Sequence, residues 1–476
     1  MGQTKIDEAI FRGYDIRGKV GSQLTPETYS LLGFAYATFL LKRGIYELVV
    51  ARDSRRSSAE FAESFINALV DSGLNVYDIG VTPTQMSYFA QYHFLTKGGA
   101  TITASHLPIE YNGLKLASGF SETLVSNEIE EVKGIVNAGE FKSLDKKGER
   151  WTVDIFEIYK EDILKRLPPL KKRLKVVVDS GGGTTGPYLP KILESYGLEV
   201  VTQNCEIDPD LSLGTPDPTE KSVLERLSKK VLEVEADLGF SYDCDGDRMG
   251  VVDSKGRVLW NDTLVALFAM ETLDRMKGST IVFNSLCSRM VSEVVTTSGG
   301  KPVMWITGHS YIKQKVRETR SPFGGELSGH FFFMDNFYGH DDGAFSSLRL
   351  INLINKFDKS LSELVDLLPS YKTSPEIKLG YPDSDKFDFI KNTVAPWMKS
   401  EFAGASFTDI DGFRADGADY MLIIRASQNG PYITIKYEAK EEVRYKDLGQ
   451  KISQFLKQDS NVNWSEGVNI EEISIP

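Results

Sequence analysis

Two short stretches of this chain hold residue types that can do chemistry together. One reads Tyr242-Asp-Cys-Asp-Gly-Asp-Arg, so that Asp243, Asp245 and Asp247 alternate and Arg248 follows at once. The other, far upstream, reads Thr103-Ala-Ser-His-Leu-Pro108 and sets Ser105 in a stretch that cannot be helical. Alternate residues of an extended segment point to one side, so three aspartates at i, i+2 and i+4 converge on one ion if the strand curls at Gly246. Mg²⁺ takes oxygen ligands in tight octahedral geometry and keeps positions for phosphate or water. The pairing points to a serine that carries a phosphoryl group beside a carboxylate-bound hard cation.

Other readings of these residues fit less well. An EF-hand loop starting at Asp243 needs glycine at its sixth position and glutamate at its twelfth, where this chain has Arg248 and Ser254. A merely solvated acidic turn sits poorly between the apolar flanks Leu238-Gly-Phe and Met249-Gly-Val-Val. Ser105 and His106 as nucleophile and base are disfavoured, because adjacent residues of an extended chain point apart and no G-x-S-x-G elbow is present. The run Gly181-Gly-Gly-Thr-Thr-Gly186 matches G-x-G-x-x-G by letter, yet the next strand ends in Thr202-Gln-Asn without the acidic residue a dinucleotide site wants. It reads as a structural turn. His93 and His340 have no motif around them.

The elements that must position these loops repeat three times. Leu48-Val-Val-Ala-Arg-Asp53-Ser54, Val176-Val-Val-Asp179-Ser180 and Ile281-Val-Phe-Asn284-Ser285 are apolar strands ending in Asp/Asn-Ser. After each come a helix, a glycine turn and a second strand, Asn75 to Ile79, Leu198 to Thr202 and Pro302 to Ile306. Strands alternating with helices predict mainly parallel sheets covered by helices. Each unit is followed by one unusual loop: Thr103 to Pro108, Asp243 to Arg248, and Gly324-Gly-Glu-Leu-Ser-Gly-His330. From about Thr373 the rhythm changes to strands Tyr420 to Arg425 and Tyr432 to Glu438 and a final helix near Tyr445 to Lys457. The sequence therefore predicts an α/β chain of three similar mixed domains and a smaller C-terminal α+β domain around a central cleft. The expected divisions are 1–150, 151–258, 259–370 and 371–476.

Bulk properties limit the partners. The chain has 476 residues, 41% hydrophobic and 26% charged, with a net charge of −12. That balance argues against nucleic acid or an anionic membrane as partner. Three cysteines, Cys205, Cys244 and Cys287, suit a reducing compartment rather than a disulfide framework. No run approaches the ~20 apolar residues of a membrane span, and no signal peptide is evident. A cytoplasmic location is expected.

The loops, in this order, resemble the α-D-phosphohexomutase superfamily, most closely its phosphomannomutase/phosphoglucomutase branch. The resemblance covers nearly the whole chain and begins with Phe11-Arg-Gly-Tyr-Asp-Ile-Arg-Gly18. It implies an isomerase of carbohydrate metabolism that moves a phosphoryl group between O1 and O6 of a hexose, through phosphoserine and a hexose 1,6-bisphosphate intermediate. By this resemblance Ser105 is the carrier, and Asp243, Asp245 and Asp247 hold Mg²⁺ against the serine phosphate. Arg248 donates to phosphoryl oxygens, Lys115 is the general base, and Tyr14 and Arg17 line the same region. Lys115 needs a lowered pKa for that task, which neighbouring cations and partial burial would provide.

Glu326 and Ser328 match residues that hold the sugar O3 and O4, and His309 and His330 match cleft-lining donors. Arg425, Ser427, Asn429 and Gly430 match a loop that grips the phosphate not reacting. Two departures stand out. The family's phosphate loop commonly reads Arg-x-Ser-x-Thr, where this chain has Asn429, and Leu286 occupies a position that can carry lysine. The resemblance implies a phosphosugar partner and a monomer or weak homodimer. Phosphoglucosamine mutase-like specificity and a non-catalytic sugar-phosphate-binding relative are the alternatives.

Overall fold

The computed structural model describes residues 6–428 and 430–473. The chain packs as two compact units, the first made of 1–217, 230–249 and 336–356 and the second of 218–229, 250–335 and 357–476.

In the first unit, the strand Glu47–Arg52 lies parallel to Asn75–Val81 on one side and to Gly98–Ile102 on the other. Lys175–Asp179 repeats the arrangement between Glu199–Gln203 and Leu238–Tyr242. In the second unit, Thr280–Asn284 does so again, between Lys301–Trp305 and Phe323–Gly325. The threefold pattern of the sequence is thus a threefold topology. Each central strand sends the chain first to one neighbour and then back across to the other. The predicted loops all leave the carboxyl end of the third strand, beside the point where strand order reverses. In open α/β sheets that point is where ligands are bound.

Antiparallel strands extend the first and the third of these sheets. Tyr111–Gly119 pairs with Gly98–Ile102 and with Ile16–Lys19, and Phe331–Phe333 pairs with Phe323–Gly325.

Helix packing follows the apolar periodicity. Helix Arg56–Asp71 buries Phe61, Ala62, Phe65, Ile66 and Leu69, one stripe of a 3.6-residue repeat. That stripe meets helix Pro26–Leu41, where the rings of Tyr29 and Phe61 stack at 4.4 Å. In the second unit Phe268 of helix Asn261–Arg275 sets its edge against Phe323, Phe331 and Phe333, with centroids 5.6, 5.2 and 5.1 Å away. Such contacts fix the short strands that flank the glutamate loop.

The C-terminal part is an antiparallel sheet in the order Ser406–Thr408, Phe413–Asp416, Tyr420–Ala426, Tyr432–Ala439, Ile377–Gly380, Asn463–Val468. Helix Glu442–Leu456 covers it through Leu448, Ile452 and Leu456. The two long strands match the sequence reading closely. The four outer ones are short, and their alternation is too brief to stand out. No helix among the described residues is long and apolar enough to cross a membrane.

Candidate active site

Ser105 sits in a turn closed by the Leu107 amide donating to the Ala104 carbonyl. Its φ is +50°, a left-handed conformation costing a non-glycine residue about 1–2 kcal/mol. The surroundings hold it there. Its amide donates to Thr103 Oγ1 at 2.8 Å, and its Oγ donates to Asp243 Oδ2 at 2.9 Å. The left-handed turn also overturns one expectation. Ser105 Oγ and His106 Nδ1 do not point apart but lie 3.2 Å from each other.

The aspartates converge, although for a different reason from the one expected. The strand ends at Tyr242, and residues 243–248 form a loop wound around Asp243, whose Oδ1 accepts from the amides of Gly246 at 3.0 Å and Arg248 at 3.2 Å. Gly246 has a φ of +77°, and a Cβ there would lie 2.3 Å from Thr185 Cγ2, so only glycine closes this turn. One carboxylate oxygen from each of Asp243, Asp245 and Asp247 lies within 4.8 Å of the others, and all three residues are buried.

Three buried carboxylates at this spacing are under electrostatic stress. Burial, with Asp245 and Asp247 close by, pushes the Asp243 carboxyl well above the usual range. For Asp245 burial acts the same way, but the Lys115 ammonium and its hydrogen bond outweigh it and hold the carboxyl below that range. Asp245 Oδ2 accepts from Thr84 Oγ1 at 2.8 Å, Thr103 Oγ1 at 3.2 Å and Lys115 Nζ at 2.8 Å, whereas its buried Oδ1 has no hydrogen-bond partner among the described residues. An orphaned buried carboxylate oxygen beside two other carboxylates is a set that fits a hard divalent cation.

Lys115 is placed as the counter-ion of this set, bonded to both Asp245 and Asp247. The expected influences are both present, since burial and the nearby Arg17 each act to lower its pKa, but they do not prevail. Asp245 and Asp247 outweigh them and raise the ammonium's pKa. Arg248 lies with Nε 3.9 Å from Asp243 Oδ2, and its charge is likewise held against burial by Asp243, Asp217 and Asp247. Arg17 is buried, ion-paired with Asp15 at 2.9 Å, and donates to the Thr103 carbonyl in the Ser105 loop. Tyr14 is buried three residues before it.

In the second unit the five residues 326–330 form the hairpin loop between Phe323–Gly325 and Phe331–Phe333. Glu326 is buried, and its Oε1 accepts from the Gly308 amide at 2.7 Å. His309 opens helix His309–Glu318 right after Gly308, and its ring stacks on His330 at 5.3 Å. The structure thus brings Glu326, His309 and His330 together, with Ser328 half-buried on the same loop.

Arg425, buried near the end of strand Tyr420–Ala426, donates from Nε to Asp411 Oδ1 at 3.0 Å. The Ser427 amide donates to the Tyr432 carbonyl at 3.0 Å. Gly430 makes room for a ring, since a Cβ there would lie 2.2 Å from Tyr432 Cε1. Asn429 lies outside the described residues. Leu286 is buried, and the carbonyls on either side of it accept from Arg414 Nη1 at 2.6 and 2.7 Å.

Several supporting residues escaped the sequence reading. Arg55 donates to the carbonyls of Ser105, Leu107, Pro108 and Tyr111 at 3.0, 2.5, 2.8 and 3.2 Å and pairs with Asp53 at 3.2 Å. Asp53 Oδ2 in turn accepts from the Ala104 amide at 3.3 Å. Asn284, the corresponding strand-end residue of the third repeat, accepts from the Leu327 amide at 3.0 Å. The only signal was the repeated Asp/Asn-Ser at the strand ends, which marks where the loops of the first and third repeats are tied down. Lys386, buried, donates to the Gly430 carbonyl at 2.8 Å and gave no signal at all.

These contacts lead to a prediction. Arg55→Lys keeps the charge beside Asp53 but loses the planar fork. Amides 105–111 should then exchange hydrogen faster, and kcat should fall by about 10-fold or more, because charge-assisted hydrogen bonds contribute about 1.5–3 kcal/mol each. Unchanged exchange and kcat would show that the loop holds itself.

Comparison with known proteins gives the same picture. Family models for phosphoglucomutase/phosphomannomutase α/β/α domains I, II and III match residues 8–143, 157–256 and 260–371. A phosphomannomutase/phosphoglucomutase of Pseudomonas putida is 36% identical over 93% of this chain and 95% of its own length. A phosphoglucomutase of Neisseria gonorrhoeae is 32% identical over 97% of this chain and 99% of its own. The crystal structure of a phosphoglucomutase/phosphomannomutase family protein from Burkholderia thailandensis superposes with a TM-score of 0.86 at 31% identity, covering 95% of this chain and 98% of that one. With three domain models in family order and relatives matched over more than nine-tenths of both chains, the chain belongs to the phosphoglucomutase/phosphomannomutase family of the α-D-phosphohexomutases.

Proposed function

We infer that this chain interconverts hexose 1-phosphate and hexose 6-phosphate, with mannose or glucose as the hexose, by way of phosphoserine and a hexose 1,6-bisphosphate. The observation that carries this reading is Ser105 Oγ, 2.9 Å from the buried Asp243 carboxylate in a strained turn that Arg17 and Arg55 brace.

In the forward step the bond from phosphorus to Ser105 Oγ breaks as a new one forms to the sugar hydroxyl oxygen. The hydroxyl proton goes to a base, for which Lys115 is the family candidate. Asp245 and Asp247 keep Lys115 as an ammonium, which has no lone pair. It can therefore serve as the base only after it has lost a proton, when the charge on those aspartates is met from elsewhere. Asp243, Asp245 and Asp247, joined by a phosphate oxygen on Ser105, would hold Mg²⁺, which neutralises charge on the transferring group. Arg248, Tyr14 and Arg17 serve the reacting phosphate. Glu326, Ser328, His309 and His330 serve the sugar hydroxyls, and Arg425, Ser427, Asn429 and Gly430 serve the distal phosphate.

Glucose and mannose differ at C2, so contacts to O3 and O4 leave them alike, which favours dual use over a single sugar. A four-domain division at 1–150, 151–258, 259–370 and 371–476, a phosphosugar as the partner with no nucleic acid or membrane, a monomer or weak homodimer, and a cytoplasmic location complete the reading.

Intact mass of the purified protein, before and after incubation with glucose 1,6-bisphosphate, tests it. One added phosphate on a peptide containing Ser105 is expected, together with turnover of mannose 1-phosphate and glucose 1-phosphate measured side by side. Binding of either sugar phosphate without phosphate uptake or turnover would favour the non-catalytic alternative. Preference for glucosamine 6-phosphate would move the specificity elsewhere in the superfamily.

A further inference from the structure

Asp411 lies between the strands Ser406–Thr408 and Phe413–Asp416 and is assigned no role by any motif. It is 7% exposed, and both of its carboxylate oxygens are in use. Oδ1 accepts from Arg425 Nε at 3.0 Å, while Oδ2 accepts from Ser285 Oγ at 2.7 Å and from the Thr307 amide at 2.9 Å. The next amide in the chain, that of Gly308, donates to Glu326 at 2.7 Å. Two consecutive amides of one turn therefore serve two carboxylates. One carboxylate fixes the guanidinium read as the distal phosphate ligand, and the other is read as a sugar ligand.

We propose that Asp411 is a positioning residue for phosphosugar recognition, aiming Arg425 and tying it to the 307–309 turn that carries His309 and holds Glu326 through the Gly308 amide. The inference rests on the reading of Arg425 as a phosphate ligand. An arginine held through Nε by a carboxylate has its plane fixed, so less rotamer freedom is lost when it meets a phosphate. Because Asp411 also accepts from the turn, the guanidinium and the sugar-facing residues share one frame. A shift at either end is felt at the other through a two-residue link rather than through solvent. The surrounding contacts are equally polar. Arg414 holds the carbonyls of Ser285 and Cys287, and Lys436 pairs with Asp262 at 3.2 Å with both side chains buried.

A double-mutant cycle with glucose 1-phosphate as the probe tests this, combining calorimetric binding with steady-state kinetics. In Asp411→Asn one of the two oxygens becomes an amide that cannot accept, so either Arg425 Nε or the Thr307 amide loses its acceptor and the link between them breaks. The expected result is a rise of about 10-fold or more in KM and Kd, a smaller change in kcat, and a melting temperature near that of the wild type. On an Arg425→Ala background the same change should add little. Ser285→Ala, which removes one hydroxyl, should give a weaker effect that is also masked by Arg425→Ala, and it serves as the second probe should Asp411→Asn fold poorly.

If Arg425→Ala weakens binding but Asp411→Asn costs as much on that background as on the wild type, Asp411 does not act through Arg425 and the proposal falls. If Arg425→Ala leaves binding intact, the phosphate reading of Arg425 fails, and the positioning role fails with it. If Asp411→Asn and Ser285→Ala both leave KM and Kd unchanged, the proposal falls while the reading of Arg425 stands.

Discussion

Ser105→Ala is expected to lower kcat by roughly three orders of magnitude or more, because the covalent route through a phosphoserine disappears with its oxygen. The fold should survive. Ser105 contributes one hydrogen bond to Asp243, and the positive φ at this position costs alanine about what it costs serine. Ser105→Gly is the control, since glycine relieves that strain and yet has no oxygen. Both variants should be inactive, show melting temperatures close to wild type, and take up no phosphate from glucose 1,6-bisphosphate. Near-normal turnover by either, with contaminating wild type excluded by mass, would rule out Ser105 as the carrier.

Asp245→Asn should reduce activity on the order of 100-fold at low Mg²⁺ and recover part of it as Mg²⁺ is raised, as loss of an anionic ligand weakens affinity without emptying the site. The hydrogen bonds to Asp245 Oδ2 come from donors, which an amide oxygen still accepts, and Lys115 keeps Asp247. The metal-free protein should therefore melt at nearly the same temperature. What should shrink is the rise in melting temperature that Mg²⁺ confers by binding the folded state. An undiminished Mg²⁺ shift, or full activity in excess chelator, would contradict the role.

Much of this site was legible before the fold was seen, and the reasons are local. Ser105 and the three aspartates sit in runs whose residue types are hard to explain otherwise. The threefold strand pattern was visible because apolar strands ending in Asp/Asn-Ser are short, regular and repeated. Glu326, His309 and His330 were singled out by resemblance, and the hairpin and the Gly308 amide bring them together.

What escaped was set by tertiary geometry. The aspartates were assigned to a curled strand, but the curl is a loop around Asp243. Ser105 and His106 were placed on opposite sides of the chain, because nothing in the run of letters announces a serine at positive φ. Arg17 supplies Lys115 with the expected cationic neighbour. The strand register of Lys115 across from Thr101 also puts it on two aspartates that lie 130 and 132 residues away in sequence, and these prevail. Arg55 and Asp411 work through partners scattered along the chain, and no spacing rule reaches that far.

The grip of Arg55 on the Ser105 loop bears on how such an enzyme changes over generations. All of its contacts to residues 105–111 are made to backbone carbonyls, a feature every amino acid offers. Much of the loop's shape is therefore written at Arg55, some fifty residues away in sequence, and the exposed side chains of Ile109 and Glu110 are released from specifying it. Substitutions there can drift and be sampled for new substrates while the phosphoryl-bearing serine stays in place. One remote, intolerant position thereby leaves its neighbourhood open to variation.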